Sequence, residues 1–365
     1  MKHVIKTFPS GFVPLFFAVA ISLPAGGGAR GSDYATIASP PAPGPVGFLM
    51  HTNYHGWTNA ILVSNGRVEA VIVPEIARVM QFRFAGEEEG PFWGNRSLDG
   101  RKPVAILHTA PPAGRDAPAA EAAPTPTNEW SDLGGDIVWP APRSSWPNLL
   151  ARDWPPPRAF DSMPWEARIE GFTVTLVSPV DPEIGVRVWR RIELALEDPV
   201  MSVTTTFEKV SGIPMELSVW VVTQLKEPEA LIVALPRFER FADSYLSLSS
   251  EPPPELTIRD GLLTLGRDPK AAHKIGTDAN AVFWLGENTV LRIDSPRHLF
   301  ERYPDEGSSA ELYTSPDPLP YVRVEILGPL KKMIAGNRMS RASTYTLLRR
   351  SEFDPELEVR MLLTR

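Results

Sequence analysis

Alternation of apolar and polar residues, the pattern of a strand with one buried face, recurs along most of this chain. In residues 185–196 the even positions are mostly apolar, and charged residues alternate with them. Residues 321–327 place their valines and isoleucine on one face and Tyr321, Arg323 and Glu325 on the other. No long helical period accompanies these strands. The pattern predicts an all-β protein, a large antiparallel β-sandwich.

A hairpin is predicted near the start of this pattern. Asn65-Gly66 lies between two apolar stretches, residues 59–64 and 67–73, and is the strongest hairpin signal in the chain. A type I′ turn requires positive φ at both central positions, which Asn and Gly tolerate. We therefore expect two paired strands joined by such a turn, with Pro74 ending the second strand.

The strand predicted at residues 215–225 differs on its two faces. Aliphatic side chains occupy one face, and Trp220, Val222 and Gln224 occupy the other. A large aromatic ring and an amide opposite an aliphatic face indicate that this second face is covered or meets a ligand.

Residues 130–165, called the tryptophan segment below, hold five of the ten tryptophans together with seven prolines. Proline interrupts both helices and strand ladders, so the segment is predicted as a long ordered loop and not as a strand or an amphipathic helix. A loop with this much aromatic surface either packs over a core or lines a ligand groove.

The chain is expected to begin with a cleaved leader. Residues 1–25 combine Lys2 and Lys6 with a short apolar run and small residues, which is typical of a secretory signal peptide. Residues 26–47 predict a flexible linker, and residues 48–365 a single domain with a mobile insertion at 103–128. We expect a periplasmic or extracellular protein with no membrane span after cleavage, because no other apolar run is long enough.

Composition narrows the partners. The formal charge is −7, and it becomes −9 when the two leader lysines are removed, which disfavours nucleic acid and anionic membranes. The absence of cysteine excludes disulfides and thiol catalysis. No metal-ligand set, phosphate loop or serine-nucleophile motif is recognisable, so neither a metal nor a cofactor is predicted. The sequence does not predict the oligomeric state.

The remaining chemistry suits a sugar. Sugar rings present apolar C–H faces and hydroxyl groups, so a pocket for them needs aromatic platforms beside carboxylates, amides and arginines. The candidate ligand-binding residues are Arg78, Trp93, Asn95, Trp139, Arg143, Trp146, Trp220, Gln224 and Arg323. The alternative is that the tryptophans only seal one face of the sheet.

The chain also resembles the galactose mutarotase-like superfamily and, within it, an uncharacterised family. The resemblance rests on SNGRVEAVIVPEIARVMQFRF, FWGN, WSDLGGDIVWPAP, WVVTQL and YVRVEILGPL, in that order between about residues 54 and 350. In the mutarotases a glutamate on a late strand is the general base for the anomeric hydroxyl, and a mid-chain histidine protonates the ring oxygen. The resemblance implies the first role for Glu325. Trp220 stands where the histidine would be, and it cannot transfer that proton.

The expected function is therefore that of an exported carbohydrate-binding protein, with aldose 1-epimerase-like chemistry as an open possibility. If the protein is catalytic, Glu325 is the expected base and Asp136 the candidate acid. The first alternative is a non-catalytic carbohydrate-binding protein of the cell envelope, in which Trp220 replaces the acid because no proton is transferred. A polysaccharide lyase or glycosidase, and a structural role without sugar, are the others. Convergence of Glu325, Arg78, Trp220 and the tryptophan segment on one open cleft would support the site.

Overall fold

A computed structural model describes residues 47–101, 130–237 and 240–364. The predicted signal peptide, the predicted linker up to residue 46 and the predicted insertion at 103–128 lie outside the described residues. The described residues belong to one compact unit. No helix within these ranges is both long and apolar enough to cross a membrane.

Short antiparallel strands make up most of the described chain, as the alternating pattern predicts. The strands are β1 (Phe48–Tyr54), β2 (Trp57–Ser64), β3 (Val68–Val73), β4 (Arg78–Phe84), β5 (Asp136–Ala141), β6 (Glu166–Glu170), β7 (Thr173–Val177), β8 (Val186–Leu194), β9 (Val200–Lys209), β10 (Met215–Lys226), β11 (Ala230–Ala234), β12 (Leu246–Ser247), β13 (Leu256–Arg259), β14 (Leu262–Leu265), β15 (His273–Thr277), β16 (Ala281–Leu285), β17 (Thr289–Asp294), β18 (Ala310–Thr314), β19 (Tyr321–Leu327), β20 (Lys331–Met333) and β21 (Arg338–Arg349). The α-helices are α1 (Trp146–Leu150), α2 (Arg158–Asp161) and α3 (Pro355–Leu363).

The strands form two large sheets. The first has the order β1-β2-β3-β4-β5-β10-β19-β18-β15-β12, and β20 pairs with β10 beside this path. The second has the order β13-β14-β11-β16-β17-β21-β9-β8-β7-β6. The predicted all-β antiparallel sandwich is confirmed.

Much of the main apolar core lies between the sheets and contains side chains of both, and the same core also includes tryptophans on the other side of the first sheet. We call the face of the first sheet that is turned toward the second sheet its inner face. Thr223 of β10 marks this face, because its hydroxyl lies 3.1 Å from the Tyr345 hydroxyl of β21. Side chains alternate along a strand, so Trp220, Val222 and Gln224 lie on the opposite, outer face. Both faces of β10 are buried over most of its length.

The predicted hairpin is present as β2 and β3, but its turn differs from the predicted one. Of the two central residues only Gly66 has positive φ, at 83°. The Asn65 carboxamide oxygen accepts hydrogen bonds from the backbone nitrogens of Arg67 and Val68, both at 2.9 Å. These bonds stabilise a three-residue loop in which Asn65 itself stays at negative φ, so a type I′ turn is not formed.

The prolines of the tryptophan segment predict a loop without strands, but part of the segment is a strand. Residues 136–141 form β5, which pairs with β10 from Asp136 to Ala141. Gly135 O accepts a hydrogen bond from Gln224 N, so the backbone groups of Gly135 point toward β10. Backbone groups alternate in direction along a strand, so the nitrogen of Pro140 points away from β10 and the proline is compatible with the strand. On that side β5 pairs with β4 only at Asp136, so no ladder hydrogen bond is lost.

Candidate functional site

Four neighbouring strands bring polar side chains together on the outer face of the first sheet. Strand register places Gln224, Arg323, Tyr313 and Lys274 in one row across β10, β19, β18 and β15. A second row contains Glu325, which lies two residues after Arg323 on β19. The predicted face assignment of β19 is confirmed by this register.

Glu325 and Glu311 are direct neighbours in the second row, on β19 and β18. Both are 1% exposed. The Lys274 ammonium lies 2.8 Å from Glu325 Oε2 and 2.6 Å from Glu311 Oε2, so one cation serves two carboxyl groups. Trp220 Nε1 also donates to Glu325 Oε2, at 3.0 Å. Only Lys274 reaches solvent appreciably, with a quarter of its side chain exposed.

We call Glu325, Glu311 and Lys274 the Lys274 trio. Burial and the charges within the trio shift the pKa values of Glu311 and Lys274. Burial raises the pKa of Glu311 well above its ordinary range, and the nearby charge of Glu325 raises it further against the pull of Lys274. Burial lowers the pKa of Lys274, but the two carboxyl groups outweigh that effect and raise it. The trio therefore contains Glu311, whose protonated form is favoured, and the charged ammonium group of Lys274, which also contacts Glu325.

Arg323 lies at the centre of an aromatic group beside this trio. Its guanidinium carbon is 4.8 Å from the ring centroid of Tyr313, 5.4 Å from that of Tyr321 and 5.7 Å from that of Trp130. The Trp93 ring extends the group and lies 4.5 Å from the Tyr321 ring. Such contacts hold a cation beside electron-rich ring faces.

Several polar atoms of this aromatic group lack a partner. Arg323 Nη2 donates to the Tyr321 hydroxyl at 3.0 Å and lies 3.6 Å from Asp132 Oδ2. Arg323 Nε, Gln224 Nε2 and Asp132 Oδ1 are buried and have no hydrogen-bond partner among the described residues. Buried polar groups are nearly always satisfied in folded proteins, so these atoms indicate a place for a ligand or ordered water.

The tryptophan segment covers this outer face. Trp139 packs against Trp220 with ring centroids 5.3 Å apart, and Trp154 lies within 5.1–5.8 Å of Trp130, Trp139 and Trp146. We call the rings of Trp130, Trp139, Trp146, Trp154 and Trp220 the tryptophan cluster. Its packing favours a fixed wall over a freely moving lid.

Asp161 and Arg78 anchor the cluster. Asp161 accepts hydrogen bonds from Trp130 Nε1 and Trp139 Nε1, both at 3.0 Å. Arg78 is fully buried and donates to Asp161 at 3.2 Å and to the Gly134 carbonyl at 2.8 Å. Burial raises the pKa of Asp161, and Arg78 and the two indoles oppose that rise. Arg78 therefore holds the segment in place through both Nη atoms, while its buried Nε has no hydrogen-bond partner among the described residues.

Asp136, the candidate acid, lies on the inner face, away from Glu325. It is fully buried and forms an ion pair with Arg190 of the second sheet. The hydroxyls of Thr223 and Tyr345 both donate to Asp136 Oδ2 at 2.7 Å. This position differs from the predicted one, because β5 carries Asp136 as part of the sheet with its side chain pointing toward β21. Asp136 and Glu325 cannot act on one ligand across the sheet.

The other predicted ligand residues divide between the face and its margin. Trp146 is buried in the cluster and donates to the Pro140 carbonyl at 2.8 Å. Arg143 is half exposed and lies over the Trp154 ring at 5.1 Å. Asn95 uses its side-chain oxygen to accept from Ser97 N and Oγ, which caps a short 3₁₀ turn. Arg143 and Asn95 are therefore not at the centre of the site.

Sequence reasoning missed four residues that contribute to the site: Lys274, Glu311, Asp132 and Asp161. Strands β15 and β18 have five residues each, and neither was predicted. A signal is present in AELYT, where Glu311 and Tyr313 alternate with apolar residues. Asp132 and Asp161 lie within the tryptophan segment, where the prolines hide any periodicity.

Comparison with known proteins bears on the fold. No protein-family model matches the chain, and no curated protein matches it significantly. The structure of a galactose mutarotase-like protein from Lactobacillus casei ATCC 334 is similar, with a TM-score of 0.50 and 9% identity over 79% of this chain and 100% of that chain. A galactose mutarotase related enzyme from Lactobacillus acidophilus matches with a TM-score of 0.47 and 10% identity, over 79% and 97% of the two chains. The first of these two likenesses shows the galactose mutarotase-like fold, as the resemblance implies.

Proposed function

We propose that this protein binds a carbohydrate on the outer face of the first sheet, in the aromatic group around Arg323. The observation that carries the proposal is the combination of ring faces with unpartnered donors and acceptors on Arg323, Gln224 and Asp132. A sugar matches both, because its C–H face stacks on rings while its hydroxyls donate and accept hydrogen bonds. The galactose mutarotase-like fold is compatible with this use.

Binding is tested with a glycan array, followed by calorimetry of each positive glycan. Arg323→Met removes the charged donors and keeps much of the side-chain volume, so we expect affinity to fall roughly 10- to 100-fold. Arg292→Met is the matched control, because Arg292 also pairs with a carboxylate and lies over an aromatic ring, in the second sheet. Unchanged affinity in Arg323→Met, or no glycan bound by the native chain, would contradict the proposal.

Acid–base chemistry on the bound sugar is a second candidate function, carried by the Lys274 trio. Glu325 would accept a proton from the anomeric hydroxyl, and Glu311, whose raised pKa favours its protonated form, would donate one. This assignment supplies an acid where Trp220 cannot. Against it stands the ion pair that occupies Glu325, which favours binding without turnover.

Anomer exchange followed by NMR separates these two functions. If the trio is catalytic, Glu325→Gln abolishes the accelerated exchange and leaves glycan affinity within a few fold, because Glu325 lies beside the aromatic group and outside it. Exchange at the uncatalysed rate in the native chain, together with glycan binding, leaves the non-catalytic role. Equal catalysed rates in the native chain and Glu325→Gln would exclude Glu325 as the base.

Export belongs to the proposal as well. Residues 1–25 have the charge and apolar pattern of a signal peptide, and a cell-envelope location would give the protein access to glycans. Fractionation of a bacterial expression host, with the mass of the mature N-terminus, tests it. A cytoplasmic protein that retains Lys2 and Lys6 would contradict it.

A further inference from the structure

A cavity with a volume of about 350 Å³ lies where β20 and the start of β21 meet β10. Its apolar wall includes Val219, Met333 and Met339, so both sheets contribute to it. Val219 belongs to the inner face of β10, whereas Trp220 and the Glu325 group belong to the outer face. The cavity is thus separate from the aromatic group around Arg323. Its volume suits a small ligand, since ligand pockets span roughly 300–1,000 Å³.

Arg341 lines this cavity and is 4% exposed. Its Nη atoms donate to the carbonyls of Ser295 and Pro296. Its Nε is buried and has no hydrogen-bond partner among the described residues. Burial lowers the pKa of Arg341, and the nearby charge of Arg297 lowers it further, whereas Tyr303 raises it. No carboxylate in the described ranges pairs with the guanidinium. A buried cation with no counter-charge is costly unless an anion lies close to it.

The other charged residues that line the cavity do not neutralise Arg341. Lys331 is occupied by Glu301 at 2.6 Å, and Arg338 is occupied by Glu208 at 2.6 Å. Lys332 lines the cavity, is exposed, and forms no ion pair with a described residue. Glu301 is the one carboxylate among the described lining residues, and Lys331 neutralises it. The cavity therefore has a positive excess from Arg341 and Lys332.

We propose that this cavity is a second ligand site, which binds a small organic anion through Arg341 and Lys332. An oxyanion in the cavity would supply the counter-charge that the Arg341 guanidinium lacks. The apolar wall of Val219, Met333 and Met339 would hold the carbon skeleton. The shared chemistry is a carboxylate, sulfate or phosphate group on a compact organic body, such as a sugar acid or a sugar ester.

Calorimetry at fixed ionic strength, with chloride as the balancing anion, tests the site on the full mature chain. The probes are sodium glucuronate, glucose 6-sulfate and glucose 6-phosphate, with glucose as the neutral arm. We expect at least one anionic probe to bind saturably and more tightly than glucose. The preferred probe then identifies the group as a carboxylate, a sulfate or a phosphate. The absence of saturable binding by all three anions at millimolar concentration would overturn the proposal.

Variants locate the bound anion. Arg341→Met removes the charge and the donors at similar volume, so we expect roughly 10- to 100-fold weaker binding. Lys332→Ala removes an exposed charge, and we expect only about a 2- to 5-fold loss. Lys270→Ala is the control, because Lys270 is exposed and does not line the cavity. Arg323→Met must retain anion binding, and its loss there would move the anion to the outer face and overturn a second site.

A measurement on the native chain keeps the test valid if Arg341→Met fails to fold. The Nε–H of Arg341 gives its own NMR signal, which Arg341→Lys removes and thereby assigns. This signal should shift in saturable proportion to the anionic probe, with the dissociation constant that calorimetry gives. An Nε–H signal that stays unchanged at saturating anion, or unchanged affinity in Arg341→Met, contradicts the proposed site.

Discussion

Asp136 and Glu325 are two buried carboxylates on the strands that flank β10, and they differ in what surrounds them. Asp136 faces the second sheet, where Arg190, Thr223 and Tyr345 are all fully buried. Glu325 faces outward, where its ammonium partner Lys274 keeps a quarter of its side chain in solvent. Solvent therefore reaches the Glu325 group through Lys274 and does not reach the Asp136 group. The exposure of the partner, and not the burial of the carboxylate, separates a structural carboxylate from a candidate functional one.

The largest expected effect is on the inner side of this comparison. Asp136→Ala leaves Arg190 as an uncompensated charge between the sheets and removes the acceptor of two hydroxyls, so we expect a loss of about 3–5 kcal/mol of unfolding free energy. Chemical denaturation of purified protein measures it. Tyr345→Phe, which removes one hydrogen bond, should cost about 1 kcal/mol. A loss below 1 kcal/mol for Asp136→Ala would show that the pair does not hold the sheets together.

The outer side should respond to pH. The native state retains the Glu311 proton above pH 4.5, the ordinary value at which the unfolded chain releases it, because the native pKa is raised. The native state binds more protons there, so the stability of the native chain falls as pH rises through that window. Glu311→Gln removes this dependence. We expect the variant to gain about 1.4 kcal/mol relative to the native chain for each pH unit between 4.5 and the native pKa.

Denaturation curves of both proteins from pH 4 to pH 8 check this prediction. Glu301→Gln serves as the control, because Glu301 lies outside the trio and pairs with Lys331 at the surface. A constant difference between Glu311→Gln and the native chain across that range would show that Glu311 releases its proton at an ordinary pH.

The smallest effect is expected at Glu89, a partly exposed carboxylate that serves as a comparison for the buried Asp136 and Glu325. A hydrogen bond from Lys226 is the main cause that lowers the pKa of Glu89 to about 2, and Arg96 adds to it. A lowered pKa contributes stability above pH 4.5 that is lost as pH falls toward 2. Solvent screens this pair, because Glu89 and both partners are 37–43% exposed. Glu89→Gln should therefore cost less than about 1 kcal/mol at pH 7 and much less at pH 2, measured by denaturation at the two pH values.

The reach of the sequence differs between the same two regions. Residues on β19 alternate strictly, so the outward position of Glu325 beside Arg323 was predictable from the pattern. On β5 all six residues are buried, so no alternation between wet and dry positions marks the face to which Asp136 belongs. Asp136 belongs to the tryptophan segment and precedes Trp139 by three residues. Nearness along a strand places consecutive side chains on opposite faces.

Partners from distant strands were beyond the sequence. Lys274 approaches Glu325 only because β18 lies between their two strands, and that order depends on long-range pairing. The same holds for Arg190, which reaches Asp136 from the second sheet. Local patterns predict which way a side chain points, whereas the identity of its partner requires the topology.

The tryptophan cluster also gives the chain an optical property. Its five indole rings lie 5.1–6.2 Å from one another along a connected set, so absorbed light energy passes between them before it is emitted. Trp130 touches Arg323, and Trp220 donates to Glu325. A molecule that settles against either group would quench or shift the emission of the whole set. The intrinsic fluorescence of the unlabelled protein can therefore report occupancy of its outer face.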